Sequence, residues 1–253
     1  LRDSPNYHFI KEYLNHHASK AARILDFGCG DGSLSAFLLS QGFNVSGVEI
    51  VERFSTWLQD IAYQEVRPRF KYGDYHGRIP FEDNSFDVII ANEVFEHIQH
   101  FPETIRELSR VLDRGGVVLA SFMTSEGLIE GHTHIPLLHK LGRGRFRRVC
   151  LRWFAPPRAA GETPAEAVAD WIEYLDHATF YRTRRCLLDA VSPHFSMRDI
   201  TGDWLRIGGE YLARRRRGRK RILGRWVAAL SRSGLFTSAF SRYYATFWQL
   251  SKI

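Results

Sequence analysis

Between Arg23 and Ile50 the chain reads RILDFGCGDGSLSAFLLSQGFNVSGVEI, an order of residues that few folds can accommodate. Arg23 to Phe27 is a short apolar run with β-branched Ile24, the pattern of a buried strand. It runs into Gly28, Gly30 and Gly32, three glycines at alternate positions around Cys29 and Asp31. Glycine has no Cβ, so the backbone can turn sharply there and let a ligand touch it. Leu34, Phe37 and Leu38 follow on one helical face, and Gly42 ends that helix. Asn44 to Ile50 is a second strand that carries Glu49 at its end. Strand, glycine turn, helix, strand and acid compose a βαβ nucleotide-binding unit.

Two acids and a serine narrow the ligand. A dinucleotide fingerprint has its third glycine one position beyond Gly32, where this chain has Ser33. Asp26 lies two residues before Gly28, where a dehydrogenase strand is usually apolar; an acid there suits a ligand with positive charge near the loop. Glu49, 19 residues after Gly30, is placed to accept hydrogen bonds from two ribose hydroxyls. These residues resemble motif I and the acidic second-strand end of class I S-adenosylmethionine (SAM) methyltransferases. The resemblance implies SAM as cofactor, held around Asp26, Gly28, Cys29, Gly30, Gly32, Glu49 and Ile50. It also implies the fold: α/β, doubly wound, a mostly parallel Rossmann-like sheet of seven strands.

Further along, Tyr7 to His17 has helical periodicity, as do residues 52 to 64 through Phe54, Trp57, Leu58 and Ile61. Arg69 to Asp74 is a third strand, and the resemblance implies that Asp74 meets the adenine amino group with Tyr75 beside the base. Residues 79 to 98, IPFEDNSFDVIIANEVFEHI, look like the ubiquinone/menaquinone-biosynthesis-type branch of the family. Within them Val88 to Ala91 is a buried strand, and Asn92 and Glu93 sit at its carboxyl end, where open α/β sheets bind ligands. By resemblance, the backbone near Asn92 meets the methionine part of SAM. Ile105, Leu108 and Val111 or Leu112 mark the next helix, Gly115-Gly116 stops it, and Val117 to Phe122 is the fifth strand.

The chain thus divides into a SAM-binding α/β core over 1–122, a helical cap insertion over 123–177, the rest of the core over 178–210, and a basic helical tail over 211–253. Tyr181 to Val191 is the expected helix after the cap and Ser196 to Thr201 the expected sixth strand. From Tyr211 onward there are eleven Lys or Arg and no acid, while residues 1–210 carry a net charge of −4. The sequence places no seventh strand in this half. Instead, one helical pattern runs through Ile222 or Leu223, Trp226, Val227 and Leu230, and another through Phe236, Phe240, Tyr243, Tyr244, Phe247 and Trp248. Positive charge beside such aromatics is a membrane-surface pattern, so the tail is expected at an anionic membrane. The same arginines could meet RNA phosphates, although no RNA-binding module accompanies them, and a third reading makes the tail an ordinary helical subdomain whose apolar faces join the core while its arginines are solvated. No apolar run approaches the roughly 18 residues of a membrane span, and no signal peptide is evident. Cys29, Cys150 and Cys186 have no metal or redox spacing, so a reducing cytoplasm is expected, with the tail at the inner membrane face.

For chemistry, His97 is the candidate general base, with Glu96 to orient it. His132, His134 and Trp153 in the cap are candidate acceptor contacts. Glu93-x-x-Glu96-His97 with His132 also resembles the metal-binding pattern of small-RNA 2′-O-methyltransferases, an alternative in which a divalent ion acidifies the acceptor hydroxyl. The expected reaction is O-methylation of a small molecule, sugar or lipid-linked glycan. The non-enzymatic alternative is a SAM-binding scaffold.

Overall fold

The computed structural model describes residues 4–50, 67–73, 78–157 and 161–253. The expected helix over 52 to 64, and Asp74 with Tyr75, lie outside the described residues. A first helix, α1 (Pro5–His17), starts where Ser4 caps the amide of Asn6 and Pro5 fits the first turn. The glycine unit follows as β1 (Arg23–Phe27), α2 (Ser33–Ser40) and β2 (Asn44–Glu49). Beyond it come β3 (Phe70–Tyr72), β4 (Phe86–Asn92), α3 (Phe101–Val111) and β5 (Leu112–Phe122). The five strands are mutually parallel in the order β3-β2-β1-β4-β5. Gly115-Gly116 does not stop α3 as expected; the helix ends at Val111 because Leu112 already pairs with Phe86.

Strand residues alternate between two buried faces, which is why these strands read as continuous apolar runs. Leu25, Ile89 and Val118 face α3, while Ile24, Val88, Ile90 and Leu119 pack with Phe9, Ile10 and Leu14 of α1 and Leu34 and Leu38 of α2.

After β5 the cap contains α4 (Arg145–Phe154) and α5 (Pro164–His177), closed on a small core of Ile135, Leu138, Leu151 and Trp171. Thr163 and Glu166 form a reciprocal capping box at the start of α5. The chain returns to the sheet through α6 (Arg184–Val191) and β6 (Phe195–Asp199), close to the expected helix and strand.

The remainder departs from the expected tail. Helix α7 (Thr201–Arg215) crosses the boundary expected at residue 211 and packs on α1. Next come α8 (Arg219–Leu230) and α9 (Gly234–Tyr243). Residues 246–252 are not helical: they form β7 (Thr246–Lys252), antiparallel to both β5 and β6 and lying between them. Phe247 and Trp248, expected at a membrane, are 4% and 0% exposed. Trp204 stacks on Phe247 at 4.6 Å, and Phe240 packs toward Trp204. Of the tail aromatics expected to meet lipid, Trp226 remains strongly exposed, at 65%.

Candidate functional site

At the carboxyl end of β1 the backbone enters the left-handed region three times, with φ of 70° at Gly28, 55° at Gly30 and 77° at Gly32. A side chain is strained there whatever the space around it. A Cβ on Gly28 would also stand 2.6 Å from Val94 Cγ2, so this turn is pressed against the end of β4. Gly30 differs: a Cβ there would meet nothing within 4 Å, because it would project into open space. Gly30 N–H donates to Glu49 Oε2 at 2.9 Å, and Ile50 N–H donates to Oε1 at 2.7 Å. Glu49 is therefore held in one orientation while each oxygen keeps a further lone pair for a ligand.

That open space is one wall of a cavity of about 550 Å³. Phe27, Gly28, Gly30, Glu49, Ile50 and Glu93 line the sheet side. The opposite side is formed by His97 to Gln99 and, from the cap, Tyr174, His177, Ala178 and Phe180. Two clips hold the cap return there: Phe180 N–H donates to Glu96 O at 2.6 Å, and the Arg182 guanidinium donates to Ile98 O and Gln99 O.

Asp26 plays another part than contact with a cationic ligand. It is 2% exposed beneath α2, where its Oδ2 accepts from Ser35 Oγ at 2.6 Å, and it ties the helix to β1. Burial pushes its carboxyl up to about 7, against the Ser35 hydrogen bond, with the charges of Glu49 and Asp31 adding to the rise. Cys29 is likewise buried, and burial raises its thiol. Asn92 accepts from Ser121 Oγ at 3.0 Å and from Asn6 Nδ2 at 3.2 Å, and Asn6 Nδ2 also donates to Glu93 Oε1. Trp204 Nε1 donates to Asn6 Oδ1 at 2.9 Å. Asn6 thus fastens α1 and α7 to the mouth of β4, a role its sequence context does not signal.

His97 stands at the cavity, but its partners are not the expected ones. Its Nδ1 lies 2.5 Å from Ala178 O, and its Nε2 lies 3.2 Å from His132 Nε2. Glu96 does not orient it. That carboxyl is 4% exposed and is pushed up to about 8, first by burial, with the charges of Glu93 and Glu130 adding to the rise. The acid that holds its neighbour His132 is Glu130, fully buried, whose Oε1 meets both His132 Nδ1 at 3.0 Å and the Tyr181 hydroxyl at 2.5 Å. Its Oε2 accepts from the Thr133 amide and hydroxyl. Burial opposes ionisation of Glu130, yet donors from His132, Thr133 and Tyr181 outweigh it and hold the carboxyl well below the usual range.

A carbonyl only accepts, so in its contact with Ala178 O the His97 Nδ1 is the donor. His132 Nδ1 lies 3.0 Å from both Glu130 Oε1 and the Tyr181 hydroxyl, and its Nε2 faces His97 Nε2 across 3.2 Å.

The other cap candidates lie elsewhere. His134 is exposed, with φ of 59°, and Trp153 is 76% exposed on α4; neither lines the cavity, and His132 does not line it either, standing behind His97. The metal alternative fails on geometry: Glu93 bonds Asn6, Glu96 is sealed in the interior, and only His97 and His132 meet. Among the described residues no three acidic, His or Cys side chains converge on a metal position.

Residues 25–120 match the family described as "Methyltransferase domain". Malonyl-[acyl-carrier protein] O-methyltransferase of Erwinia pyrifoliae is 34% identical over 47% of this chain and 45% of its own. The 27-O-demethylrifamycin SV methyltransferase of Amycolatopsis mediterranei is 30% identical over 57% and 55%. The chain spans about half the length of the curated relatives it matches. Among solved structures, the PH0226 protein of Pyrococcus horikoshii superposes with a TM-score of 0.53 at 17% identity, covering 98% of this chain and 90% of that one. That likeness concerns the fold.

Proposed function

Residues 25–120 belong to the class I SAM-dependent methyltransferases, and from that premise we propose that the chain transfers a methyl group from SAM to a hydroxyl of a small-molecule or lipid-linked glycan acceptor. One observation carries the reading: a single cavity joins Gly30 and Glu49 to His97 and the cap. The cofactor fits the residues present, since Gly30 leaves a cradle that a Cβ would fill and Glu49 is already braced beside it. Glu49 would hold the ribose, Ile50 with Asp74 and Tyr75 the adenine, and the backbone at Asn92 and Glu93 the methionine end. When bound, SAM supplies a methyl group already activated by its sulfonium. What remains for the chain is to place the acceptor and keep water out, and the cap segment Tyr174–Phe180, which lines the cavity, would serve both ends.

A hydroxyl acceptor must also lose its proton. His97 Nε2, on the cavity side of its contact with His132 Nε2, would take the proton that the acceptor hydroxyl gives up as its oxygen bonds the methyl carbon. The Ala178 carbonyl keeps hydrogen on Nδ1, so the tautomer is the one a base requires. Glu130 and Tyr181 position His132 and do not touch the acceptor.

The tail extends the proposal to location. Helix α8 exposes Ile222, Leu223, Trp226 and Leu230 next to the arginines of 214–221, which suits the cytoplasmic face of an anionic membrane and a lipid-linked acceptor.

The test is incubation with methyl-labelled SAM and cell fractions. Label is expected in the lipid or glycan fraction; label in RNA, or none in any fraction, overturns the reading. His97→Ala should lower turnover by about 10²–10⁴-fold while S-adenosylhomocysteine still raises the Tm. Full turnover in that variant removes the base role.

A further inference from the structure

Helix α4 turns Arg147 and Leu151 inward. Arg147 is 8% exposed and pairs with Asp176 of α5 at 2.7 Å, and Leu151, 1% exposed, packs with Trp171. The rest of the helix faces outward. Phe146 is 67% exposed, Val149 50% and Trp153 76%. At 3.6 residues per turn these three fall within about 60° of one another, a narrow apolar strip. Arg145, Arg148 and Arg152, at the same spacing, form a basic strip immediately beside it, and all three are exposed. Helix α4 contains no acidic residue. Phe154, the last residue of the helix, adds a further aromatic at 71% exposure.

We infer that α4 is an interfacial helix that seats the cap on an anionic lipid surface. An apolar strip of aromatics flanked by arginines matches the boundary between acyl chains and acidic headgroups: rings enter, guanidinium groups stay with the phosphates. At ten residues the helix is about 15 Å long, half the thickness of a bilayer core, so it lies in the plane and does not cross. Its inner neighbour α5 carries Tyr174 and His177 into the cavity wall, so the lipid contact lies one helix away from the cavity. The contact is separate from α8 and requires nothing of the acceptor.

The experiment uses the full chain with sedimenting vesicles of phosphatidylcholine alone or mixed with phosphatidylglycerol. Wild type should sediment with the mixed vesicles only, and added salt should release it. Phe146→Ser with Trp153→Ser, and separately Arg148→Glu with Arg152→Glu, should each weaken partitioning by about tenfold or more. These side chains are exposed, so the variants should melt as wild type does. Trp226→Ser tests α8 in parallel. Undiminished sedimentation of both α4 variants overturns the inference, as does failure of wild type to sediment. So does a fall in particle mass of the α4 variants without lipid, which would make the strip a contact between copies. Absence of a Tm rise with S-adenosylhomocysteine would instead count against the methyltransferase reading, whatever the vesicles show.

Discussion

Glu49 stands between the backbone it braces and the ligand it is proposed to hold. Its two oxygens accept the amides of Gly30 and Ile50, so the side chain is in place before anything binds. Charge-assisted hydrogen bonds contribute about 1.5–3 kcal/mol each, so Glu49→Ala should remove most of the Tm rise produced by S-adenosylhomocysteine. A variant that keeps the whole rise would place the ribose elsewhere. Burial raises the carboxyls of Asp26, to about 7, and Glu96, to about 8, so the folded state favours their protonated forms. The stability this provides is complete below the ordinary carboxylate range and is lost as pH rises through 7 and 8. Each group contributes a slope of at most about 1.4 kcal/mol per pH unit in that window. Urea unfolding at pH 5 and pH 8 should show the decline, and Glu96→Gln should flatten the part that ends near pH 8. The glycines and Glu49 were legible because a turn and a strand end announce themselves within a few residues. Glu130 and Tyr181 were not, since they reach His132, and Tyr181 does so only through the cap's path back to the sheet.

Helices α7 and α8 meet through two glycines. A Cβ on Gly209 would stand 2.7 Å from the amide nitrogen of Ala228, and one on Gly224 would stand 2.6 Å from that of Ala213. The obstruction in each case is backbone, which cannot rotate aside. Gly224→Val should therefore cost about 1–3 kcal/mol, read as a lower Tm, while the S-adenosylhomocysteine response persists. An unchanged Tm would mean that the helices separate freely. At this scale periodicity served well for α3, where Ile105, Leu108 and Val111 are buried as expected and Phe101 and Thr104 join them, and poorly for β7. Thr246, Phe247, Trp248 and Leu250 are all buried, so the strand shows no polar alternation, and its aromatics read equally well as the face of a helix. The contact of Gly209 with Gly224 left no trace either, because the spacing of small residues within a helix says nothing about which helix will approach it.

Across the molecule, the charge difference between residues 1–210 and the rest suggested a body with a detachable tail, and the sheet shows otherwise. Deleting residues 212–253 would remove β7 and the fully buried Trp248, strip β6 of its partner and bare the edge of β5. The shortened chain should lose its cooperative melting transition and its S-adenosylhomocysteine response together, as circular dichroism and a thermal-shift assay would register. A shortened chain that still melts cooperatively and binds would show that the sheet tolerates the loss of its next-to-edge strand. The five parallel strands were legible at this scale, since each βα turn is local. The closing antiparallel pair was not, because it joins segments that sequence order separates by α7, α8 and α9.

The position of β7 also sets a schedule for biosynthesis. Among the described residues it comes latest of the strands in chain order, yet it lies between two strands made before it. While a ribosome is still producing α7 to α9, β6 has no neighbour and β5 presents an open row of amides and carbonyls to other nascent chains. Premature termination anywhere before residue 246 would leave that row open permanently. Messages cut short in this region should thus yield aggregates or protease substrates in place of a smaller working protein.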